Sequence, residues 1–182
     1  MSLDCRLVDV NGDIFTDILR LNSEVFPSNE LLAPINLEKQ IYSNDENFQI
    51  LAFFDDGKFI GYAAIYLYKE LCYLAFLAIW PQFQGFRYGS KILDILSLKF
   101  KRIVLEIEYL DPKADDIDQR IRRSKFYQKA KFQDSAHTIS YLGMKYSIYS
   151  NCEFDFKRFI EMFELFKSKN YFEFIYERSF AS

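Results

Sequence analysis

Two carboxylates and one glycine-bearing turn are the residues in this sequence whose types and spacing suit chemistry. In "RIVLEIEYL", Arg102 to Leu110, the two-residue period of a strand puts Val104, Glu106 and Glu108 on one face and Ile103, Leu105 and Ile107 on the other. Burying two unpaired carboxylates side by side is costly, so Glu106 and Glu108 are expected to face water, a cleft or a cationic partner such as a nearby Arg or Lys. In "WPQFQGFRYGSKIL", Trp80 to Leu93, Gly85 and Gly89 stand between an apolar run and a helical pattern, with no acidic residue among them. A turn entering a helix presents amide hydrogens with no earlier acceptor, and glycine lets a ligand approach that backbone, which suits phosphate. The same glycines would also serve a plain turn with close packing. Their spacing is neither that of a Walker A loop nor that of G-x-G-x-x-G.

The elements that must position these residues can be read in order. "CRLVDV", Cys5 to Val10, reads as a first strand, and Ile14, Ile18, Leu21, Val25 and Phe26 recur at helical spacing until Pro27. "LLAPINLEKQIYS" predicts a second helix, after which "FQILAFF" and "FIGYAAIYLY" flank "DDGK", the turn chemistry of a hairpin. "LCYLAFLAIW", Leu71 to Trp80, is apolar nearly throughout, as a central strand buried on both faces would be, and Pro81 stops it. From Ser90, the residues Ile92, Leu93, Ile95, Leu96 and Phe100 fit a helix leading to "RIVLEIEYL". This is a βαβ pattern, in which a right-handed crossover sets the strands side by side and parallel, with the "QGFRYG" loop at the carboxyl end of the first. Open α/β sheets bind ligands at such ends. "DIDQRIRRSKFYQKA" predicts a helix with Asp115, Asp116 and Asp118 at its dipole-favoured start. Strands follow around "HTISYL" and "KYSIYS", and after Asn151 the residues Phe156, Phe159, Ile160, Phe163 and Phe166 form an apolar helical stripe.

Composition narrows the class. The 182 residues are 50% hydrophobic and 19% aromatic, enough for one domain with a substantial core, and no repeat or linker suggests a second. A net charge of −3 gives no basic footprint for nucleic acid. Cys5, Cys72 and Cys152 are far apart and lack metal-type spacing, so free thiols in a reducing compartment and no metal are expected. With neither a signal-peptide pattern nor an apolar run long enough to cross a bilayer, a soluble cytoplasmic protein with no membrane partner is expected.

The loop Gln84-Gly85-Phe86-Arg87-Tyr88-Gly89, preceded by "LAIWP", resembles the Q/R-x-x-G-x-G/A acetyl-CoA pyrophosphate loop of the GCN5-related N-acetyltransferase (GNAT) family. The β-α-α-β-β-β-α-β-α-β-β order is similar to that family's over residues 5–150. The resemblance implies an α/β mixed-sheet fold in a single domain of residues 1–182, with 151–182 a helical C-terminal extension. It implies direct acetyl transfer from acetyl-CoA to an amine of a small molecule or peptide, without a covalent enzyme intermediate.

The same resemblance suggests roles. Backbone groups of Leu77, Ala78 and Ile79 would hold the pantetheine arm as an extra strand, and the turn from Gln84 through Ser90 would hold the pyrophosphate. Leu105-Glu106-Ile107 matches a "LEV" segment whose glutamate acts as base, with Glu108 a substrate-binding or backup group. Tyr127 in "SKFYQKAKF" matches the helix tyrosine that protonates the leaving thiolate. Arg120 and Arg123 lie seven and four residues before Tyr127, on its helical face, as candidate CoA-binding residues; Arg120 stands where the family often has Asn, and CoA phosphates or Glu108 are its candidate partners. The single histidine, His137, is read as structural. Phe26, Tyr42, Tyr141 and Tyr146 are candidates for an acceptor pocket, although among twenty Phe and thirteen Tyr a core role is favoured for any one. Two glycine positions also depart from the family pattern: Arg87 replaces its middle loop glycine, and Lys131 the glycine of Y-x-x-x-G-F. These motivate an alternative, a CoA- or acyl-CoA-binding module without turnover. A third reading is an interaction protein using the aromatic C-terminal segment, which is also compatible with a homodimer.

Overall fold

Asp56 and Gly57 adopt left-handed φ values of 49° and 74°, the conformation a two-residue hairpin turn demands, and close β2 (Phe48–Asp55) onto β3 (Lys58–Tyr68). The "DDGK" signal is therefore met at the predicted place. The computed structural model describes residues 3–9, 12–26, 47–141, 143–168 and 179–181. The chain forms two compact units, Met1–Lys99 and Phe100–Ser182.

In the first unit, β1 (Asp4–Leu7), β2, β3 and β4 (Leu71–Ile79) pair successively, each antiparallel to the last. Helix α1 (Ile14–Val25) buries Ile18 and Leu21 of the predicted spacing, together with Phe15 and Asn22, while Ile14, Val25 and Phe26 stay partly exposed. Asn22 is buried because its Oδ1 accepts a 2.7 Å hydrogen bond from the Tyr62 hydroxyl, whose pKa burial pushes up. The chain turns extended at Phe26, which packs edge-on against Phe76 at 5.3 Å. In β4, Leu71 to Leu74 and Ala78 are buried, while Ala75 to Leu77 and Ile79 are partly exposed, so the strand is not covered along its whole length. Gly61 is sterically required: a Cβ there would lie 2.1 Å from the Ala78 carbonyl oxygen across the β3–β4 ladder. After a 3₁₀ turn at Pro81–Phe83, α2 (Tyr88–Lys99) begins two residues before the predicted Ser90 and buries Ile92, Leu93 and Leu96. The predicted second helix, residues 31–43 and including Tyr42, lies outside the described residues.

The second unit contains β5 (Ile103–Glu108), α3 (Ile117–Lys129), β6 (Gln133–Tyr141), β7 (Met144–Ser150), α4 (Phe156–Ser168) and β8 (Ser179–Ala181). Strand β7 lies between β5 and β6, and β8 adds to the far side of β6, all antiparallel. Asn151 clamps the start of β5, its Oδ1 accepting from Ile103 N at 2.7 Å while its own N donates to Ile103 O at 3.2 Å. Helix α4 buries Phe159 and Phe163 of the predicted stripe, and Met162, which was not in it. The three-residue β8 was not predicted, because so short a segment carries no period. His137 stacks on Phe156 with centroids 4.6 Å apart and keeps Nδ1 2.8 Å from the Ser135 carbonyl. Cys5, Cys72 and Cys152 are free thiols.

Candidate functional site

The first unit places the glycine turn between the end of β4 and the start of α2. Leu77, Ala78 and Ile79 form the last residues of β4, and the Gln84 side chain folds back so that Nε2 donates to the Ile79 carbonyl at 3.0 Å. Gly85 has φ +83°, with nothing within 4 Å of where a Cβ would stand. Gly85, Phe86 and Arg87 are exposed, and Phe86 keeps 68% of its surface. The first helical bond runs from Lys91 N to Arg87 O at 3.1 Å, so the amides of Tyr88, Gly89 and Ser90 precede any helical acceptor. These amides and the positive end of a twelve-residue helix suit an anion such as a pyrophosphate. Sequence reasoning missed one anchor of the turn: the Tyr88 hydroxyl donates to Asp55 Oδ2 at 2.6 Å. Asp55 lies 33 residues away, so no local pattern could reveal it.

In the second unit, the two carboxylates of β5 part company. Glu108, 5% exposed, pairs with Arg123 of α3, so that its charge is neutralised locally. Glu106 is half-buried, and the Tyr141 hydroxyl donates to its Oε2 at 3.0 Å. Arg120 bonds Asp116 Oδ1 through Nε at 2.7 Å and the Tyr109 carbonyl through Nη1 at 2.9 Å. Arg120, the arginine expected as a partner for Glu108, is thus held elsewhere, and Arg123 takes that place instead. Tyr127 packs edge-on against Phe126 and Phe132 at 5.0 and 6.0 Å. Burial pushes its hydroxyl pKa up to about 12, against the opposing pull of the Arg123 charge. Tyr127 therefore holds its proton throughout the neutral range. Among the described residues no group of three or more His, Cys, Asp and Glu side chains gathers as metal ligands would, and no helix is long and apolar enough to cross a membrane.

The model of the acetyltransferase (GNAT) family matches residues 15–117, more than half of the sequence. The chain belongs to the GNAT acetyltransferase family. No curated protein matches it. A protein described as a GNAT-family acetyltransferase from Bacteroides thetaiotaomicron is 22% identical with a TM-score of 0.70, over 92% of this chain and 98% of its own. A GNAT acetyltransferase from Elizabethkingia anophelis, solved with acetyl-CoA bound, is 15% identical with a TM-score of 0.57, over 82% of this chain and 97% of its own. A chimera of the spermidine N-acetyltransferase SpeG from Vibrio cholerae and hSSAT is 16% identical with a TM-score of 0.65, over 84% of this chain and 96% of its own. These likenesses show the α/β GNAT fold predicted above.

Within this GNAT chain the two departures at glycine positions share one property. Arg87 and Lys131 stand where glycine is usual, and both adopt left-handed φ, 64° and 68°. The backbone keeps a shape that glycine would take freely, at a steric cost on the order of 1 kcal/mol per residue.

Proposed function

We propose that this GNAT protein transfers the acetyl group of acetyl-CoA directly to an amine of a small molecule or peptide. The observation that carries the reading is the Gln84–Ser90 turn: an exposed left-handed glycine opening into the N-terminus of α2. The acetyl-CoA held by the Elizabethkingia relative and the spermidine named for the SpeG chimera support donor and acceptor class respectively. We assign the pyrophosphate to the amides of the turn and to Arg87, and the pantetheine arm to the backbone of Leu77, Ala78 and Ile79. Arg120 and Arg123 are given the lesser part in phosphate binding, since each is engaged inside its own unit.

An alkylammonium with a pKa of about 10 must lose a proton before its nitrogen lone pair can attack. Glu106 takes that proton in this scheme. The nitrogen then bonds to the thioester carbonyl carbon, the carbon–sulfur bond breaks, the thiolate takes the proton of Tyr127, and the nitrogen gives up its second proton to the Tyr127 phenolate as it becomes an amide. Glu108, already neutralised by Arg123, fits the base role less well and serves to position the helix that carries Tyr127.

Release of CoA thiol from acetyl-CoA across a panel of primary amines tests the reading, with thermal shift reporting CoA binding separately. A second reading, a CoA-binding module without turnover, is motivated by Arg87 at a glycine position. CoA stabilisation with no thiol release on any acceptor would favour it over transfer.

A further inference from the structure

Tyr141 on β6 reaches Glu106 on β5 across the intervening β7. On the way its ring lies face to face with Tyr146 of β7, centroids 4.5 Å and planes 13° apart. The register places Tyr146 opposite Glu108 on one side and Ile139 on the other, so both tyrosines and both glutamates share one face of the sheet. Glu106, Tyr141 and Tyr146 are each half-buried. A neutral hydroxyl donating to Glu106 orients the carboxylate without cancelling its charge. The same bond draws the phenol toward phenolate character and makes its ring richer in electrons, which strengthens the negative potential of the π face.

A carboxylate beside an electron-rich ring has the chemistry that takes an organic ammonium ion, the charge meeting oxygen and the polarised N–C–H groups meeting the ring. Among the described residues a cation–ring contact already occurs in this unit, Lys145 Nζ lying 4.2 Å from the centroid of Tyr109. We propose that Glu106 and the Tyr141–Tyr146 pair form an acceptor-recognition site selective for organic ammonium ions over neutral molecules of the same shape. This rests on the reading that the acceptor is an amine, and it adds that the amine is recognised as its cation.

The test uses the full chain without CoA and two probes of matched shape, choline and the uncharged 3,3-dimethylbutan-1-ol, with affinities read by ligand-observed NMR. Choline should bind about tenfold or more tightly than the alcohol. Tyr141→Leu should weaken choline about tenfold, while Tyr141→Phe, which keeps the π face, should weaken it less. Should Tyr141→Leu fail to fold, Glu106→Gln, which keeps size and a hydrogen-bond acceptor, must weaken choline to a similar extent. Equal binding of the two probes, no choline binding, or choline binding indifferent to these substitutions overturns the proposal. A quaternary ammonium has no N–H proton to lose, so a failed acetyl-transfer assay leaves this test intact. Conversely, thiol release with primary amines whose KM is unmoved by Tyr141→Leu would overturn the recognition site and leave acetyl transfer standing.

Discussion

Tyr88 Oη lies 2.6 Å from Asp55 Oδ2 and joins the first residue of α2 to the last residue of β2. Donation to that carboxylate is the main reason the Tyr88 pKa is raised, so the hydroxyl stays a donor. Phe83 meets the ring edge-on at 5.9 Å and Lys91 Nζ lies 5.1 Å from its centroid. At the other end of the turn, Gln84 is held by the Ile79 carbonyl. The turn is pinned at both ends while Gly85, Phe86 and Arg87 stay exposed between them. A backbone anion site held in shape before its ligand arrives avoids an ordering cost on binding.

Removing one pin should therefore weaken CoA. Tyr88→Phe keeps the ring packing and loses only the hydrogen bond, and CoA affinity should fall about fivefold, the effect of one modest bond. Asp55→Asn keeps an acceptor and should fall less. Calorimetric titration of CoA into both variants checks this, and unchanged affinity in Tyr88→Phe would show that the turn does not depend on the tie.

Lys131→Gly should stabilise the protein by about 1 kcal/mol, because Lys131 follows the C-cap of α3 in the left-handed conformation that glycine adopts without strain. Urea unfolding measures it. Arg87→Gly relieves similar strain, and CoA titration then separates two roles for the guanidinium. Weaker binding, steepest at low salt, marks a phosphate contact, whereas tighter binding marks an arginine that crowded the turn.

What was legible in the sequence was local. "DDGK" specified its turn because Asp56 and Gly57 tolerate positive φ, and the apolar period specified the centre of the buried face of α1, Ile18 and Leu21, but not Phe15 beside them. Periodicity also put Glu106 and Glu108 on one face of β5, but it could not say which would meet a cation. That depended on Arg123, fifteen residues on, and on Tyr141, thirty-five residues on. The insertion of β7 between β5 and β6 brings Tyr141 over Tyr146, and strand order of that kind is set by tertiary packing.

Alkali should expose a different buried group. Cys72 is 1% exposed, and burial pushes its thiol from 9.0 up to about 12, with the Lys99 charge pulling the other way. Between those values the unfolded chain releases the proton and the folded chain keeps it, so stability present below pH 9 is lost as pH rises toward 12. At about pH 10.5 the loss from Cys72 alone is about 2 kcal/mol. Tyr127, also raised to about 12, adds in the same direction. Comparing urea unfolding at about pH 8 and about pH 10.5, wild type should lose about 2 kcal/mol more than Cys72→Ala. Equal losses would mean that this thiol is not the titrating group.

Glu106, Glu108 and Tyr127 should be separable by what each substitution spares. Tyr127→Phe keeps the aromatic contacts with Phe126 and Phe132 and removes only the proton, so kcat should fall about a hundredfold or more with CoA binding nearly unchanged. Glu106→Gln keeps an oxygen for the Tyr141 hydroxyl but cannot take a proton. Its rate should be depressed most near neutral pH and should recover in part as pH approaches the amine's own pKa of about 10, where the free base forms without help. Glu108→Gln breaks a pair whose carboxylate is buried, so its main effect should be on stability, about 2 kcal/mol in urea unfolding, with a smaller change in kcat. Full pH–rate profiles of all three variants decide the assignment. If Glu108→Gln lowers kcat as Glu106→Gln was expected to, and regains it with pH, the base lies two residues further along β5. If neither glutamate matters to the rate, a water chain or the substrate itself removes the proton, and Glu106 keeps only its part in recognition.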